Sequence, residues 1–367
     1  MPFIKAIEQF NSVAIVGMAK NTGKTTCLNY VISRLQEERR KIALTSIGVD
    51  GEERDVLYDT PKPRIVLHEG MIFITSEKDF EQREFPAELL SVSERATPLG
   101  CLITARANGS GKVVLSGPSD SAWLQEMIAA MRNYGVELTL VDGALSRMSL
   151  ASPAVTDAMI LCTGAACSAQ LPELIRRTKF RCNLIDLPQV SASLHSLLFP
   201  LDSGVWLLTK KDAAIKKIAG TVFTIDDDLK QSLTENATIY AAGAVTDRFL
   251  KLLCTHTQGR IKLVVRDFSK LFISALTYDR FVRKAGSIEV LQKAKLVAVC
   301  TNPVSPEGVQ LNPLLLREQM QEALGLPVYD IVMDCFSARM PSCGTLATSG
   351  QDSETPAKNK GIEKWKK

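Results

Sequence analysis

The sequence predicts an α/β fold with a mostly parallel, helix-covered sheet. Short apolar runs rich in β-branched residues alternate with helical stretches, which is the pattern of strand–helix–strand units. The composition is globular, because 46% of the 367 residues are hydrophobic and 23% are charged. At roughly 150 residues per domain, we place a first domain at 1–215 and a second α/β domain at 216–336. Residues 337–367 are rich in small and polar residues and Lys without periodicity, which predicts a disordered tail.

The charge and cysteine content exclude several classes of protein. The chain carries 44 Lys and Arg against 40 Asp and Glu, a net charge of +4, which is too balanced for a nucleic-acid-binding surface. Its nine cysteines are scattered without a C-x-x-C pair, a pattern typical of reduced thiols in a cytosol. No apolar run approaches the ~20 residues needed to span a bilayer. We therefore expect a cytoplasmic protein that binds neither nucleic acid nor membranes.

The first elements are the clearest in the sequence. An apolar strand at 12–16 leads into a glycine-rich turn and a helix at about 24–40, in which apolar residues recur at helical spacing. A second strand is predicted at 42–47. A helix at 119–134 then precedes a strand at 136–141 that ends in a carboxylate. This order predicts that the first strands are parallel and covered by helices.

The remaining elements are predicted from shorter runs. Hairpins or strand pairs are expected at 64–75, and at 99–105 with 112–116 around a Gly-containing turn. Further strands are predicted at 159–162, 183–185, 205–208, 222–225, 239–242, 262–265, 296–300 and 328–333.

The turn after the first strand has the composition of a phosphate-binding loop, which predicts a P-loop NTPase. Gly17 and Gly23 enclose five residues, and Lys24 and Thr25 follow at the start of the helix. Backbone N–H groups and the helix N-terminus attract phosphate, Lys24 reaches the β and γ phosphates, and the Thr25 hydroxyl binds Mg²⁺. We expect ATP (or GTP) with Mg²⁺, held by Gly17, Lys20, Asn21, Thr22, Gly23, Lys24, Thr25 and Thr26. The alternative is a strand–helix turn that binds nothing.

Lys20 has two interpretations. In the deviant P-loop ATPases an extra signature lysine lies five positions before the loop lysine, a place that Ala19 occupies here. Lys20 is therefore either a solvated loop lysine or a contact to phosphate across a dimer.

Two acidic residues are candidates for the metal and for catalysis beside Lys24. Asp142 ends the strand predicted at 136–141, and a carboxylate at this end of a strand lies on the ligand side of a doubly wound sheet. It is predicted to hold Mg²⁺, the alternative being an ordinary Asp-Gly turn. Asp50 follows the second strand and is predicted to serve Mg²⁺ or the attacking water, with Glu53 as the reserve. The alternative for both is a solvated acidic turn.

Two further strand ends carry polar residues. Asp212 ends the segment Thr209-Lys210-Lys211-Asp212, which fits the guanine-specific [N/T]-K-x-D pattern and equally fits a lysine-rich helix start. Asn302, within Thr301-Asn302-Pro303, either lines a second pocket or belongs to a plain turn. Asp157 precedes a strand and is either a further acidic partner of the site or a helix-cap or turn carboxylate.

Three blocks of sequence resemble one family. Residues 13–29 (VAIVGMAKNTGKTTCLN), 45–55 (TSIGVDGEERD) and 140–168 are similar to the P-loop subunit of the lysine 5,6-aminomutase reactivase, the KamB type. More broadly, the G-x5-G-K-T loop resembles that of dethiobiotin synthetases. The family's nucleotide-site residues match this chain at Gly17, Gly23, Lys24, Thr25 and Asp142, with Asp50 as a further candidate.

The resemblance implies an ATP-dependent factor that reactivates an adenosylcobalamin-dependent aminomutase. Its partners would be that aminomutase and a second, MutS-like reactivase subunit. The D-x-H-x-x-G loop of base-off cobalamin proteins is missing from the sequence, which agrees with a protein that acts on the cobalamin enzyme without binding cobalamin through that motif. Two other functions stay open. One is a dethiobiotin-synthetase-like ligase or amide synthase, and the other is a GTP-dependent maturation chaperone.

Overall fold

The computed structural model describes residues 2–47, 65–118, 120–144, 152–208, 215–225, 237–256, 259–331 and 333. Helices and strands are mixed throughout this part of the chain, as the sequence predicts for an α/β protein, with several runs of consecutive strands. The nine α-helices within it are α1 (Pro2–Ile7), α2 (Lys24–Glu37), α3 (Glu77–Glu81), α4 (Ser121–Met131), α5 (Leu171–Ile185), α6 (Ala192–Leu198), α7 (Asp247–His256), α8 (Ala275–Arg283) and α9 (Pro313–Leu324).

The strands form one large sheet, one smaller sheet and two short ribbons. In chain order they are β1 (Ser12–Gly17), β2 (Ile42–Ser46), β3 (Ile65–Leu67), β4 (Ile72–Ser76), β5 (Ala87–Thr97), β6 (Gly100–Ala107), β7 (Gly111–Val113), β8 (Leu138–Ala144), β9 (Ala158–Gly164), β10 (Val205–Leu208), β11 (Ile215–Ala219), β12 (Thr238–Ala241), β13 (Val245–Thr246), β14 (Ile261–Val265), β15 (Leu271–Phe272), β16 (Gly286–Val290), β17 (Leu296–Asn302) and β18 (Val328–Asp330).

The large sheet has nine strands in the order β18-β17-β9-β1-β8-β2-β4-β6-β5. The seven strands from β18 to β4 are parallel. Strands β6 and β5 complete the sheet as an antiparallel edge. Strand β1 lies between β8 and β9, so the strand before the glycine-rich turn is central in the sheet. The mostly parallel sheet is the one that the sequence predicts.

Helices cover both faces of the central strands. Ile15 of β1 packs with Leu28 of α2 on one face. Val16, the next residue, packs on the opposite face with Leu174 of α5 and Leu316 of α9. Because successive strand residues point to opposite faces and both faces are covered, β1 is buried at every position. This double burial explains why the first strand reads as a continuous apolar run.

Side-chain caps fix where several helices begin. The Asp120 side chain accepts a hydrogen bond from the backbone N–H of Trp123 at the start of α4. Asn312 does the same for Leu315 at the start of α9, where Pro313 occupies the first helical position. Pro is suited to that position because its missing N–H would have no partner within the helix. Helix α2 begins differently, at a glycine that leads straight from the turn.

The smaller sheet has five strands in the order β11-β10-β12-β14-β16. Strands β12, β14 and β16 are parallel, and β10 and β11 are antiparallel. It has its own core, in which Phe249 of α7 and Phe281 of α8 pack with Ile239 and Leu263. The Ser152 hydroxyl donates to Asp267 Oδ2 at 2.9 Å, which ties the segment before β9 to the loop after β14.

The division between the two sheets differs from the boundary predicted at 215/216. Strand β10 lies before that boundary and belongs to the five-stranded sheet, whereas β17 and β18 lie after it and belong to the nine-stranded sheet. The smaller sheet is therefore built from chain that leaves the large sheet after β9 and returns to it at β17. Sequence composition gave no sign of this return, because β17 looks like any other apolar strand. The tail predicted at 337–367 lies outside the described residues.

Several predicted local pairings are wrong. Strands β3 and β4 both exist within 64–75, but β3 pairs with β7, and β4 pairs with β2 and β6. Strand β6 likewise pairs with β4 and β5 rather than with β7. The strand predicted at 183–185 is the last turn of α5, and 222–225 is a turn. Short apolar runs carry no information about their partners, so the distant strands decided these pairings.

Candidate functional site

Four strand ends meet at one edge of the large sheet. Strand β1 ends at Gly17, which lies beside Cys162 of β9. On the other side of β1, Asp142 of β8 is in register with Ile15 of β1 and with Ser46 of β2. The Ser46 hydroxyl donates to the Asp142 main-chain oxygen at 3.2 Å. Parallel strands thus bring residues from distant parts of the sequence to one place, at the carboxyl edge where α/β proteins bind ligands.

The turn at 18–23 is a tight loop over the end of β1. Its first residue is anchored to β9, because Met18 N–H donates to Cys162 O at 2.8 Å. Thr22 is buried, and its hydroxyl donates to Ala19 O at 3.1 Å across the loop. A Cβ on Gly17 would lie only 2.6 Å from the Thr22 hydroxyl oxygen, so the loop can close this tightly only over a glycine.

The loop turns into α2 through two residues with left-handed backbone. Asn21 has φ +61° and Gly23 has φ +83°. Asn and Gly are the residues that adopt this conformation most readily. Gly23 is the N-cap of α2, and no side chain caps the backbone N–H groups at this end of the helix. The first turn of a helix carries N–H groups with no acceptor inside the helix, so it presents them, with the partial positive charge of the helix, to an anion.

Lys24 and Asp142 form an ion pair beneath this loop. The Lys24 Nζ atom lies 3.1 Å from Asp142 Oδ1, and the two side chains are 22% and 17% exposed. Lys24 is the first residue of α2, which follows β1, and Asp142 lies near the end of β8. Strands β1 and β8 are neighbours in the sheet. An ammonium paired with one carboxylate can exchange that partner for a phosphate oxygen, which is an equally good acceptor for it. The structure therefore brings together two of the three residues that the sequence predicts for catalysis.

The other predicted residues of the loop differ in exposure. Thr25 and Thr26 are half-buried in the first turn of α2. Lys20 is exposed at the top of the loop, which fits a solvated lysine in a single copy of the chain. Asp50, its reserve Glu53, and Asp212 lie outside the described residues. Strand β10, which precedes Asp212, belongs to the five-stranded sheet and not to the sheet that carries the loop.

Asn302 is a site residue whose place the sequence did not predict. It ends β17, and its Nδ2 donates to Asn21 O in the loop at 3.2 Å. Its own oxygens hold it in position: Oδ1 accepts from Val304 N–H at 3.1 Å, and the main-chain oxygen accepts from Ala165 N–H at 2.9 Å. The sequence marked Asn302 only as a polar residue after a strand. That β17 is a near neighbour of β1 could not be known without the sheet order.

Three cysteines pack together under the loop. Cys27 of α2, Cys162 of β9 and Cys300 of β17 are buried, and the Cys27 and Cys300 sulfurs are 3.8 Å apart. Hydrogen bonds from the Cys27 and Cys300 thiols lower the pKa of Cys162, and the charge of Lys24 lowers it further. Hydrogen bonds with Cys162 and Cys300, together with burial, raise the pKa of Cys27. The cluster links α2 to the two strands whose ends contact the loop.

Two side chains beside the loop carry oxygen atoms of the kind that Mg²⁺ binds. They are the Thr25 hydroxyl and the Asp142 carboxylate, and the ion pair places Asp142 next to the loop lysine. In nucleotide sites, phosphates and waters supply most of the Mg²⁺ ligands, so one or two such side chains suffice. Among the residues that the structure describes, no group of three His, Cys, Asp or Glu side chains could hold a metal ion.

Comparison of the chain with protein-family models, curated proteins and solved structures finds no match in any of the three. Within the described residues, no helix is both long and apolar enough to cross a bilayer. The function of this site is therefore inferred from its residues and their geometry.

Proposed function

We propose that the loop 17–25 binds a nucleoside triphosphate with Mg²⁺, and that the chain hydrolyses it. One observation carries the proposal: the Lys24 ammonium is 3.1 Å from the Asp142 carboxylate, directly under a glycine-closed turn at the carboxyl edge of a parallel sheet. A lysine and a carboxylate in this arrangement serve a phosphate and its metal ion. The mostly parallel sheet around β1 is the context that such a loop requires.

Each residue of the loop has a distinct part in this proposal. The backbone N–H groups at the start of α2 donate to phosphate oxygens, and the Lys24 ammonium leaves Asp142 to contact the β and γ phosphates. Asp142 and the Thr25 hydroxyl would hold Mg²⁺, and the bound ion would supply positive charge against the phosphates. Asn302 keeps the loop in shape through its hydrogen bond to Asn21 O.

The first experiment measures triphosphate binding by calorimetry with Mg²⁺ present. Lys24→Ala is expected to weaken ATP or GTP binding roughly 100-fold, because a charge-assisted contact contributes up to ~3 kcal/mol. Lys78→Ala is the matched control, since Lys78 is exposed on α3, which packs on β4 and β6. Equal affinities in the two variants would contradict the proposal. The preference between ATP and GTP is read from the same titrations.

We further propose that nucleotide turnover reactivates an adenosylcobalamin-dependent aminomutase. The support is the resemblance of residues 13–29, 45–55 and 140–168 to the P-loop subunit of the lysine 5,6-aminomutase reactivase. Radical enzymes that lose their adenosyl group trap a damaged cobalamin tightly, and its release requires that the enzyme open. Nucleotide binding and hydrolysis can drive a two-state partner surface that prefers the opened form.

The second experiment separates this role from the two other functions. Phosphate release is measured with the chain alone, with an inactivated aminomutase, and with the MutS-like subunit added. A reactivase is expected to release phosphate faster with its partners and to restore aminomutase activity. A ligase of the dethiobiotin-synthetase kind turns over with a carboxylate substrate and no protein partner. Strong GTP preference together with failure to restore the aminomutase would favour a maturation chaperone.

A further inference from the structure

A cavity lies between α7 and α8, the two helices that pack on the five-stranded sheet. It has a volume of about 520 Å³, which is in the range of small-molecule sites. The inner faces of the two helices are used for the core, where Phe249, Leu253 and Phe281 are buried. The cavity is lined by Lys251, Cys254, Thr255, Thr277, Arg280, Arg283 and Lys284, of which all but Cys254 and the buried Thr277 are exposed.

Every charged residue that lines this cavity is a cation. Lys251 comes from α7, Arg280 and Arg283 come from α8, and Lys284 follows directly after α8. The Lys284 ammonium donates to Cys254 O at 3.0 Å, which fixes one side of the cavity. No Asp or Glu of the described residues is part of the lining. Four like charges around one cavity repel each other, so an anion placed among them is favoured.

The acidic residues of the two helices offset only part of this charge. Asp247, at the start of α7, accepts hydrogen bonds from the Ser274 N–H and hydroxyl at 2.8 and 3.2 Å. It also contacts Thr277 and is attracted to Lys251, both of which line the cavity. Asp279 of α8 is exposed and does not line the cavity. Asp247 therefore offsets part of one positive charge, and the lining stays cationic.

We propose that this cavity binds a small phosphorylated organic molecule with an apolar body. The four cations supply the contacts to phosphate, and Arg280 and Arg283 have the fork geometry that suits it. The stems of long basic side chains are apolar methylene groups, and the buried Thr277 and half-buried Cys254 complete the wall. A bare inorganic ion would leave most of a 520 Å³ cavity unfilled. The cavity is formed by α7 and α8 and does not depend on the proposed function of the loop 17–25.

The test uses three probes that differ only in head group and body. Naphthyl phosphate carries both parts, naphthol lacks the phosphate, and inorganic phosphate lacks the body. Each is titrated by calorimetry into the full chain with Lys24→Ala, which removes the loop cation from the measurement. Naphthyl phosphate is expected to bind at least roughly tenfold more tightly than either of the other two, because it alone gains both charge-assisted and apolar contacts.

Variants then assign the binding to this cavity. Arg280→Gln and Arg283→Gln are each expected to weaken the binding of naphthyl phosphate roughly tenfold, since each removes a charged contact. Arg248→Gln is the matched control, because Arg248 is an exposed arginine on α7 that does not line the cavity. The affinity of the Arg248→Gln variant for naphthyl phosphate should equal that of the Lys24→Ala protein from which it is made. All three positions are exposed, so the substitutions leave the core intact.

Three outcomes overturn the proposal. The first is equal affinity of naphthyl phosphate for the Arg280, Arg283 and Arg248 variants. The second is binding of a hexaglutamate peptide with none of naphthyl phosphate, which would make the cavity a contact for an acidic protein segment. The third is binding of naphthyl phosphate no tighter than that of inorganic phosphate, which would mean that the cavity gives no contacts to an apolar body.

Discussion

Two aspartates at opposite ends of the central strands are held in different ways. Asp142, at the carboxyl end, pairs with the side chain of Lys24 at 3.1 Å. Asp157, at the amino end, accepts from the backbone N–H groups of Asn11 and Ser12 at 2.9 and 3.0 Å through one oxygen. In return the Ser12 hydroxyl accepts from Asp157 N–H at 3.0 Å. Asp157 thus joins the start of β9 to the start of β1.

The difference lies in how easily each carboxylate can change partners. A carboxylate held by backbone N–H groups cannot leave without exposing those donors, and that loss is costly where Ser12 is buried. A carboxylate paired with an ammonium can exchange that partner for another charged group. Both residues are Asp at a strand end in the sequence, so only their partners tell the two carboxylates apart.

The largest effect is expected from Asp142→Asn, which tests whether the Asp142 carboxylate takes part in hydrolysis. The variant keeps the shape of the side chain but loses the charge that holds Mg²⁺, and this charge matters most in the transition state. We expect kcat for triphosphate hydrolysis to fall on the order of 100-fold, with a much smaller change in nucleotide affinity. Equal losses in kcat and in affinity would contradict the catalytic role of Asp142.

The counterpart at the other end of the strands is Asp157→Ala. It removes the acceptor of two backbone N–H groups, so we expect the free energy of unfolding to fall by about 2 kcal/mol, with nucleotide affinity unchanged. Chemical denaturation measures the first quantity and calorimetry the second. Asp186→Ala is the control, because Asp186 is 80% exposed and only pairs with Lys293 at the surface. A loss of hydrolysis in a folded Asp157→Ala protein would contradict a purely structural role of Asp157.

A smaller effect tests the loop contact from β17. Asn302→Ala removes the hydrogen bond from Nδ2 to Asn21 O, and we expect nucleotide affinity to fall roughly fivefold, as for one partly exposed hydrogen bond of ~1 kcal/mol. Asn302→Asp keeps the shape and replaces the donor by a negative charge near the phosphates. Asn302→Asp should bind nucleotide more weakly than Asn302→Ala. The reverse order would contradict the placement of Asn302 beside the phosphates.

The smallest effect is expected at Lys20. Because Lys20 is exposed on the loop, Lys20→Ala should change nucleotide affinity by no more than about twofold. Titrations at a low and a high protein concentration distinguish the two interpretations of this residue. A contact to phosphate across a dimer would make the loss larger as the protein concentration rises.

Much of the fold near the loop could be predicted, and the antiparallel edge of the large sheet could not. Strand β1 and helix α2 are contiguous, and each has the residue pattern of its class. Strand β5 was not predicted, since most of its residues are at least partly exposed and its apolar positions do not alternate. It exists because β6 supplies its hydrogen bonds. The pairing of β3 with β4 was predicted because they are neighbours in the chain, but the strands that pair with them in the structure are β7 for β3, and β2 and β6 for β4.

By itself the sequence determined the loop, because Gly17, Gly23 and Lys24 act through local backbone geometry that a few consecutive residues specify. Only the tertiary structure decided what lies next to it. Asn302 reaches Asn21 across 281 positions of sequence, and Asp142 reaches Lys24 from a strand that follows several others. Contacts of this kind depend on the order of strands in the sheet, and that order is set by packing and hydrogen bonds between segments that carry no local mark of their partners.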